Sequence, residues 1–173
     1  SLNVVGVYDI DHDRSHDFSR EHDFHRVESF SELLELPDVA IGVNLTNPIS
    51  HFGVSKEMIT AGLSVYSEKP YAVSMDEGQE LIRLAEKHQK KITSAPALIF
   101  SKPFQMLLAL IADGTIGDVQ IIKCNIHEGP VHKMRIDQWI SKSGALWPAR
   151  DEFETGCYLE HGQYAIDIIT AIL

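Results

Sequence analysis

Three short clusters in this 173-residue chain hold side chains able to move protons or hold a polar ligand. Lys69 stands in Glu68-Lys69-Pro70, directly after the apolar run Leu63 to Ser67. A lysine at an apolar strand end, set against a ligand ring, can lose part of its preference for the charged form and so accept a proton from a substrate hydroxyl. Glu160 and Tyr164 are spaced i,i+4, which puts both on one helical face. Tyr164 could share a proton with Lys69, and Glu160 could bind substrate hydroxyls; their plainer roles are packing and solvation. Asp9 closes the run Leu2 to Tyr8, where a carboxylate suits a ribose diol and repels a 2′-phosphate, which favours NAD over NADP.

Those clusters need elements to carry them. Leu2 to Tyr8, Asp38 to Leu45, Leu63 to Ser67 and Lys91 to Ala95 read as buried strands. Between them fall helical stretches: a polar one over Asp11 to Glu21, one opened by the capping box Ser29-Phe-Ser-Glu32 and stopped by Pro37, one from Ser50 to Gly62, and one opened by Ser74-Met-Asp-Glu77. Strand and helix alternating at this pace predict a doubly wound parallel α/β sheet. Ligands of such sheets bind beyond the carboxyl ends of the strands, where Asp9, Thr46-Asn47-Pro48 with His51, Glu68-Lys69-Pro70 and Ala95-Pro96 lie.

After residue 100 the pattern changes. A helix is expected over Ser101 to Ala112, a half-exposed strand of a second, mixed or antiparallel sheet over Asp118 to His127, and an apolar helix over Tyr158 to Leu173. Residues 1–100 thus read as a dinucleotide-binding domain and 101–173 as the start of an α+β substrate and oligomerisation domain.

Composition narrows the partners. The formal net charge is −10, with ten acids against three arginines in residues 1–40, so nucleic acid and anionic membranes are poor partners. Two cysteines, Cys124 and Cys157, make no disulfide framework, and no apolar run reaches membrane-spanning length, so a soluble cytoplasmic protein is expected. His12, His16, His22 and His25 lie among aspartates but follow no metal-ligand spacing, so no metal site is expected; Trp139 and Trp147 could line a sugar cleft or simply pack.

The blocks Thr46 to His51, Val65-Tyr-Ser-Glu-Lys-Pro70, Gly114-Thr-Ile-Gly117 and Gly156-Cys-Tyr-Leu-Glu-His-Gly-Gln-Tyr164, in this order, resemble the oxidoreductases grouped around glucose–fructose oxidoreductase and inositol dehydrogenase. The resemblance implies a Rossmann-type fold, with Asp9, Thr46, Asn47, His51, Glu68 and Lys69 at an NAD cofactor. It also implies Lys69, Tyr164 and Glu160 in the chemistry, a cis Lys69-Pro70 bond, a sugar, cyclitol or polyol substrate, and a homo-oligomer. His51 would close against the dinucleotide or, alternatively, bond its own backbone. Three departures stand out: Thr46-Asn47-Pro48 replaces Thr-Pro, Glu160 replaces the commoner Asp, and Tyr164 the commoner His. The family's glycine-rich turn does not precede Ser1, and most of its second sheet would follow Leu173. The chain therefore reads as the middle of a longer enzyme, expected by itself to be inactive and poorly soluble, and to bind NAD⁺ no better than about millimolar. The competing class is a regulatory module that binds a sugar or a partner without turnover.

Overall fold

Two βαβ crossovers make the framework in the computed structural model, which describes residues 2–173 except 128, 129, 131, 132 and 143. Strands β1 (Ile41–Asn44), β2 (Ser64–Ser67) and β3 (Ile92–Ser94) pair in parallel in the order β1-β2-β3. The register sets Gly42 opposite Val65 and Val65 opposite Ile92. Helix α3 (His51–Thr60) joins β1 to β2 and helix α4 (Met75–Lys87) joins β2 to β3. This is the expected Rossmann-type α/β arrangement.

Local signals account for the helix starts. Ser29 Oγ accepts from Glu32 N at 3.1 Å to open α2 (Phe30–Glu35), while the Glu32 carboxylate accepts from Glu28 N at 2.8 Å. Ser74 Oγ accepts from Glu77 N at 3.3 Å, and Glu77 reaches back to Val73 N at 3.2 Å. In both boxes the glutamate satisfies the amide one residue before the cap. Asp11 caps α1 (His12–His22) by accepting from Arg14 N. Ser50 makes no side-chain cap; a 3-10 turn over Pro48–Ser50 feeds α3 instead.

The core lies between one sheet face and the crossover helices, centred on Met58, Ile59, Leu63, Val65, Leu81 and Ala85. Gly42 lets α3 approach β1, since a Cβ there would stand 2.6 Å from Met58 Sδ. Burial of β1 is one-sided: Gly42 and Asn44 face the helices, whereas Ile41 and Val43 are 53% and 55% exposed, so the expectation of a strand buried on both faces is corrected. Leu81 is fully buried. Leu81→Ala is expected to cost about 2–5 kcal/mol of stability, read from urea unfolding midpoints.

Two expected strands are absent among the described residues. Leu2 to Tyr8 reduces to one parallel bridge between Val7 and Arg26, with Val7 N donating to His25 O at 2.9 Å and Val27 N to Val7 O at 3.1 Å. Among the described residues its backbone partner is the short 25–27 segment, too short for a ladder. Residues 118–127 carry the alternating pattern but no ladder, because no other described segment pairs with them. Among the described residues the expected second sheet has no strand.

Helix α5 (Lys102–Ala112) follows the 3-10 turn Leu98–Phe100, and α6 (Ala149–Ile172) is two helical stretches joined at the non-helical Gly156: the second matches the helix expected from Tyr158, and residues 149–155 add a first one. Asp151 and Glu152 in its first turn favour a helix start that apolar periodicity does not reveal. The 128–156 stretch is not wholly irregular either. Trp147 N donates to Trp139 O at 2.8 Å beside an Ile140–Leu146 antiparallel bridge, and Trp147 packs edge-on against Trp139 and Phe153. The tryptophans thus pack on each other.

Candidate functional site

The carboxyl ends of β1 and β2 place two loops side by side, and Asn44 organises the first. Its Nδ2 donates to His51 O and Ser55 Oγ, both at 3.0 Å, and its Oδ1 accepts from Thr46 N at 3.2 Å and Thr46 Oγ1 at 2.8 Å. A single buried amide therefore fixes the Thr46–His51 loop at both ends. Asn44 was not among the expected site residues; the signal was a polar residue closing an apolar run, in line with the inward-facing Gly42.

His51 joins the two loops. Its Nδ1 lies 2.6 Å from Pro70 O and its Nε2 2.6 Å from Thr46 O, and the side chain is buried. Of the two roles expected for His51, the geometry shows the bonding to backbone: both ring nitrogens face carbonyls of the protein. Replacing His51 with leucine would orphan the carbonyl that its N–H serves, at about 1–3 kcal/mol, and free the loops from one another. The expected result is a lower thermal midpoint together with weaker cofactor binding, read by calorimetry on the same variant.

Lys69 lies on the second loop, directly before a cis Lys69-Pro70 bond. Its ammonium pairs with Glu160 Oε2 and donates to Glu160 O at 3.2 Å. Only 16% of the Lys69 side chain and 9% of Glu160 reach solvent. Tyr164 offers its ring to the ammonium, 5.8 Å from Nζ to centroid. The ammonium thus faces the aromatic ring of the tyrosine expected to share its proton. Glu68 turns its carboxylate onto Lys69 N at 3.0 Å.

Helix α6 brings Glu160 and Tyr164 to these loops by packing on the 3-10 turns at Pro48–Ser50 and Leu98–Phe100. Asn47 Nδ2 donates to Asp151 Oδ2 at 3.0 Å, tying the first loop to the same helix. Glu152, also unforeseen, lies near Glu160. Burial, a hydrogen bond with the Glu160 carboxyl and that group's charge push it up to about 7, against the opposing pull of Lys69. The distance in sequence, across an aperiodic stretch, hid it.

Asp9 stands apart from this cluster. Arg14 Nη1 grips its two oxygens at 3.3 and 3.1 Å, while Arg14 Nη2 holds Asp11 at 3.0 Å. Arg14 reaches Asp9 because capping by Asp11 starts α1 so that the Arg14 side chain turns back toward it. A cleft of about 440 Å³ lined by Asp17, Phe18, Arg20, Glu21, Lys142 and Gly144 shares no residue with the Lys69 cluster. His12 and His16 are solvent-facing, each beside an acid.

Parallel strands whose carboxyl ends carry a lysine, a carboxylate and a loop held open by buried polar side chains define a nucleotide-binding α/β protein. Residues 1–95 match the oxidoreductase family with an NAD-binding Rossmann fold, and the chain belongs to that family, whose members are NAD(P)-dependent. Among relatives, it is 28% identical over 118 residues to trans-1,2-dihydrobenzene-1,2-diol dehydrogenase of Bos taurus, covering 68% of this chain and 35% of that one. A protein from Desulfitobacterium hafniense whose proposed role is NADPH-dependent oxidoreductase has a similar fold at TM-score 0.82 and 20% identity, over 99% of this chain and 48% of that one. The WlbA dehydrogenase of Chromobacterium violaceum, in complex with NADH and UDP-GlcNAcA, gives TM-score 0.59 at 24% identity, over 64% and 32% of the two chains. The chain spans about a third of the length of the diol dehydrogenase. No described helix is long and apolar enough to cross a membrane.

The residues present suit the nicotinamide half of a dinucleotide. Thr46 and Asn47 are exposed beyond β1, and Glu68 and Lys69 are half-buried beyond β2, giving amide, carboxylate and ammonium groups at adjacent strand ends. A carboxamide and a ribose diol need such a mixture of donors and acceptors.

Proposed function

We propose that the protein transfers a hydride between NAD(H) and a CH–OH group of a sugar, cyclitol or similar polyol. The observation that carries this reading is the nearly buried Lys69–Glu160 pair at the carboxyl end of β2. The cofactor, when bound, supplies the hydride acceptor or donor. Lys69 holds the proton at the reacting oxygen: its amine takes the hydroxyl proton during oxidation and its ammonium returns one during reduction. Glu160 orients the Lys69 head and can accept from a second substrate hydroxyl. Tyr164 stands beside the Lys69 head, favours its charge over the ring, and offers a hydroxyl to share the proton. Thr46, Asn47 and Glu68 hold the nicotinamide and its ribose, with His51 fixing their loops. Residues 1–100 serve as the dinucleotide-binding domain, and 101–173 contribute the helix that completes the site.

A diol dehydrogenase and a dehydrogenase crystallised with a nucleotide sugar among the similar proteins support a carbinol substrate. Asp9 is proposed as the ribose acceptor, with Arg14 turning aside as the diol enters. The test is incubation of the whole protein with NAD⁺ or NADP⁺ and a panel of polyols, following reduced-nicotinamide absorbance. Growth of absorbance with NAD⁺ supports the reading; binding of a polyol without turnover under all cofactor conditions would favour the regulatory class.

A further inference from the structure

Helix α6 bends at Gly156, whose backbone sits at φ 78° and ψ 158°. That combination is open essentially to glycine alone. Eight residues of straight helix would hold Glu152 and Glu160 about 12 Å apart along the axis. The bend folds residues 149–155 back, so that Glu152 meets Glu160. Glu152 Oε2 and Glu160 Oε1 are both buried with no hydrogen-bond donor to satisfy them. Glu160 itself is 7% exposed, and its other oxygen is taken by Lys69. Two buried carboxyl oxygens without donors, on side chains that interact with one another, call for a proton between the two carboxyls, because two carboxylates in contact repel.

We propose that Glu152 and Glu160 form a carboxyl pair sharing one proton, and that Glu152 is a positioning residue which keeps Glu160 single-charged and aimed at Lys69. The inference deepens the hydride-transfer reading and rests on it for its catalytic consequence. Glu152 O–H donates to Glu160, whose second oxygen then receives the Lys69 ammonium; one cation faces one shared anion. When the pair loses its proton to solvent, two negative charges face one ammonium, and Lys69 is held more firmly in its charged form. Glu160 and Lys69 are the groups facing Glu152 at the pair, and Asp151 adds like charge from the same turn. The upward displacement of Glu152 agrees with this arrangement, burial being its largest cause.

The sign of the stability effect follows. The folded Glu152 keeps its proton above the pH at which the unfolded chain releases it, so the stabilisation is complete below about pH 4.5 and is lost as pH rises through about 7.

Three readouts test the proposal on the whole protein. With ¹³C-carboxyl-labelled glutamate, one resonance should titrate with a midpoint near 7 and a second should shift at the same midpoint; Glu152→Gln should abolish the first and flatten the second. Thermal midpoints should fall between about pH 5 and about pH 7.5 in the natural protein, and Glu152→Gln, whose amide donates at every pH, should remove that slope. Gly156→Ala should abolish the coupled titration as well, by straightening the helix. Polyol oxidation at saturating substrate should show a midpoint near 7 that is lost in Glu152→Gln. All glutamates titrating below about pH 5.5 would overturn the pair. Absence of any polyol turnover would instead remove the hydride-transfer reading, while the titration and thermal arms still decide the pair.

Discussion

Replacing Lys69 with alanine is expected to lower kcat for polyol oxidation by about two orders of magnitude or more, the usual cost of losing a general acid–base. The affinity for NAD⁺ should change far less, because the loops proposed to hold the dinucleotide are fixed by Asn44 and His51 and not by the Lys69 side chain. Lys69→Arg should not restore turnover. A guanidinium keeps its proton across the working range and cannot take one from a hydroxyl. Steady-state kinetics beside calorimetric binding of NAD⁺ separates the two effects. Unchanged kcat in Lys69→Ala would take the lysine out of the chemistry and leave its pair with Glu160 as a structural tie.

Glu160→Ala carries the largest expected cost in stability. The Lys69 side chain is only 16% exposed, and its ammonium has the Glu160 carboxylate and the Glu160 carbonyl as partners. Removing one member of a buried pair strands the other charge, at a cost of about 3–5 kcal/mol. Glu152 limits the damage, since a second carboxyl stands beside the cleared space. In the double variant Lys69→Ala with Glu160→Ala the loss should be smaller than the sum of the two singles, a coupling that urea unfolding of all four proteins would measure. Additive losses, or a Glu160→Ala cost below about 1 kcal/mol, would mean that the pair is held by its surroundings and contributes little itself.

Local chemistry made much of this legible in the sequence. The serine–glutamate boxes at Ser29 and Ser74 are decided within four residues, and both form as expected. The strand-end positions of Thr46, Glu68 and Lys69 follow from parallel pairing, which places every loop of interest on one edge of the sheet. Pairing itself was less legible. Leu2 to Tyr8 and Asp118 to His127 have the composition of strands, yet a ladder requires a neighbour, and neither run states which segment that would be. The same limit applies at the site. Asn44 looked like the end of a strand until its four hydrogen bonds placed it at the hinge of a loop, and Glu152 reaches Glu160 only because Gly156 breaks the helix between them. Asp9 shows the converse: its strand-end position suggested a bare ribose acceptor, while a helix cap two residues later delivered Arg14 to it.

The most direct measurement of the central claim is isotope transfer. A polyol substrate carrying deuterium on the reacting carbinol carbon is incubated with the whole protein and NAD⁺, and the reduced cofactor is analysed by mass spectrometry and proton NMR. Hydride transfer assisted by Lys69 predicts one deuterium on the nicotinamide ring of each product molecule, a slower rate than with the protiated substrate, and near-complete loss of transfer in Lys69→Ala. Oxidation of the polyol with deuterium released to solvent, or labelled cofactor formed at the natural rate by Lys69→Ala, would contradict it.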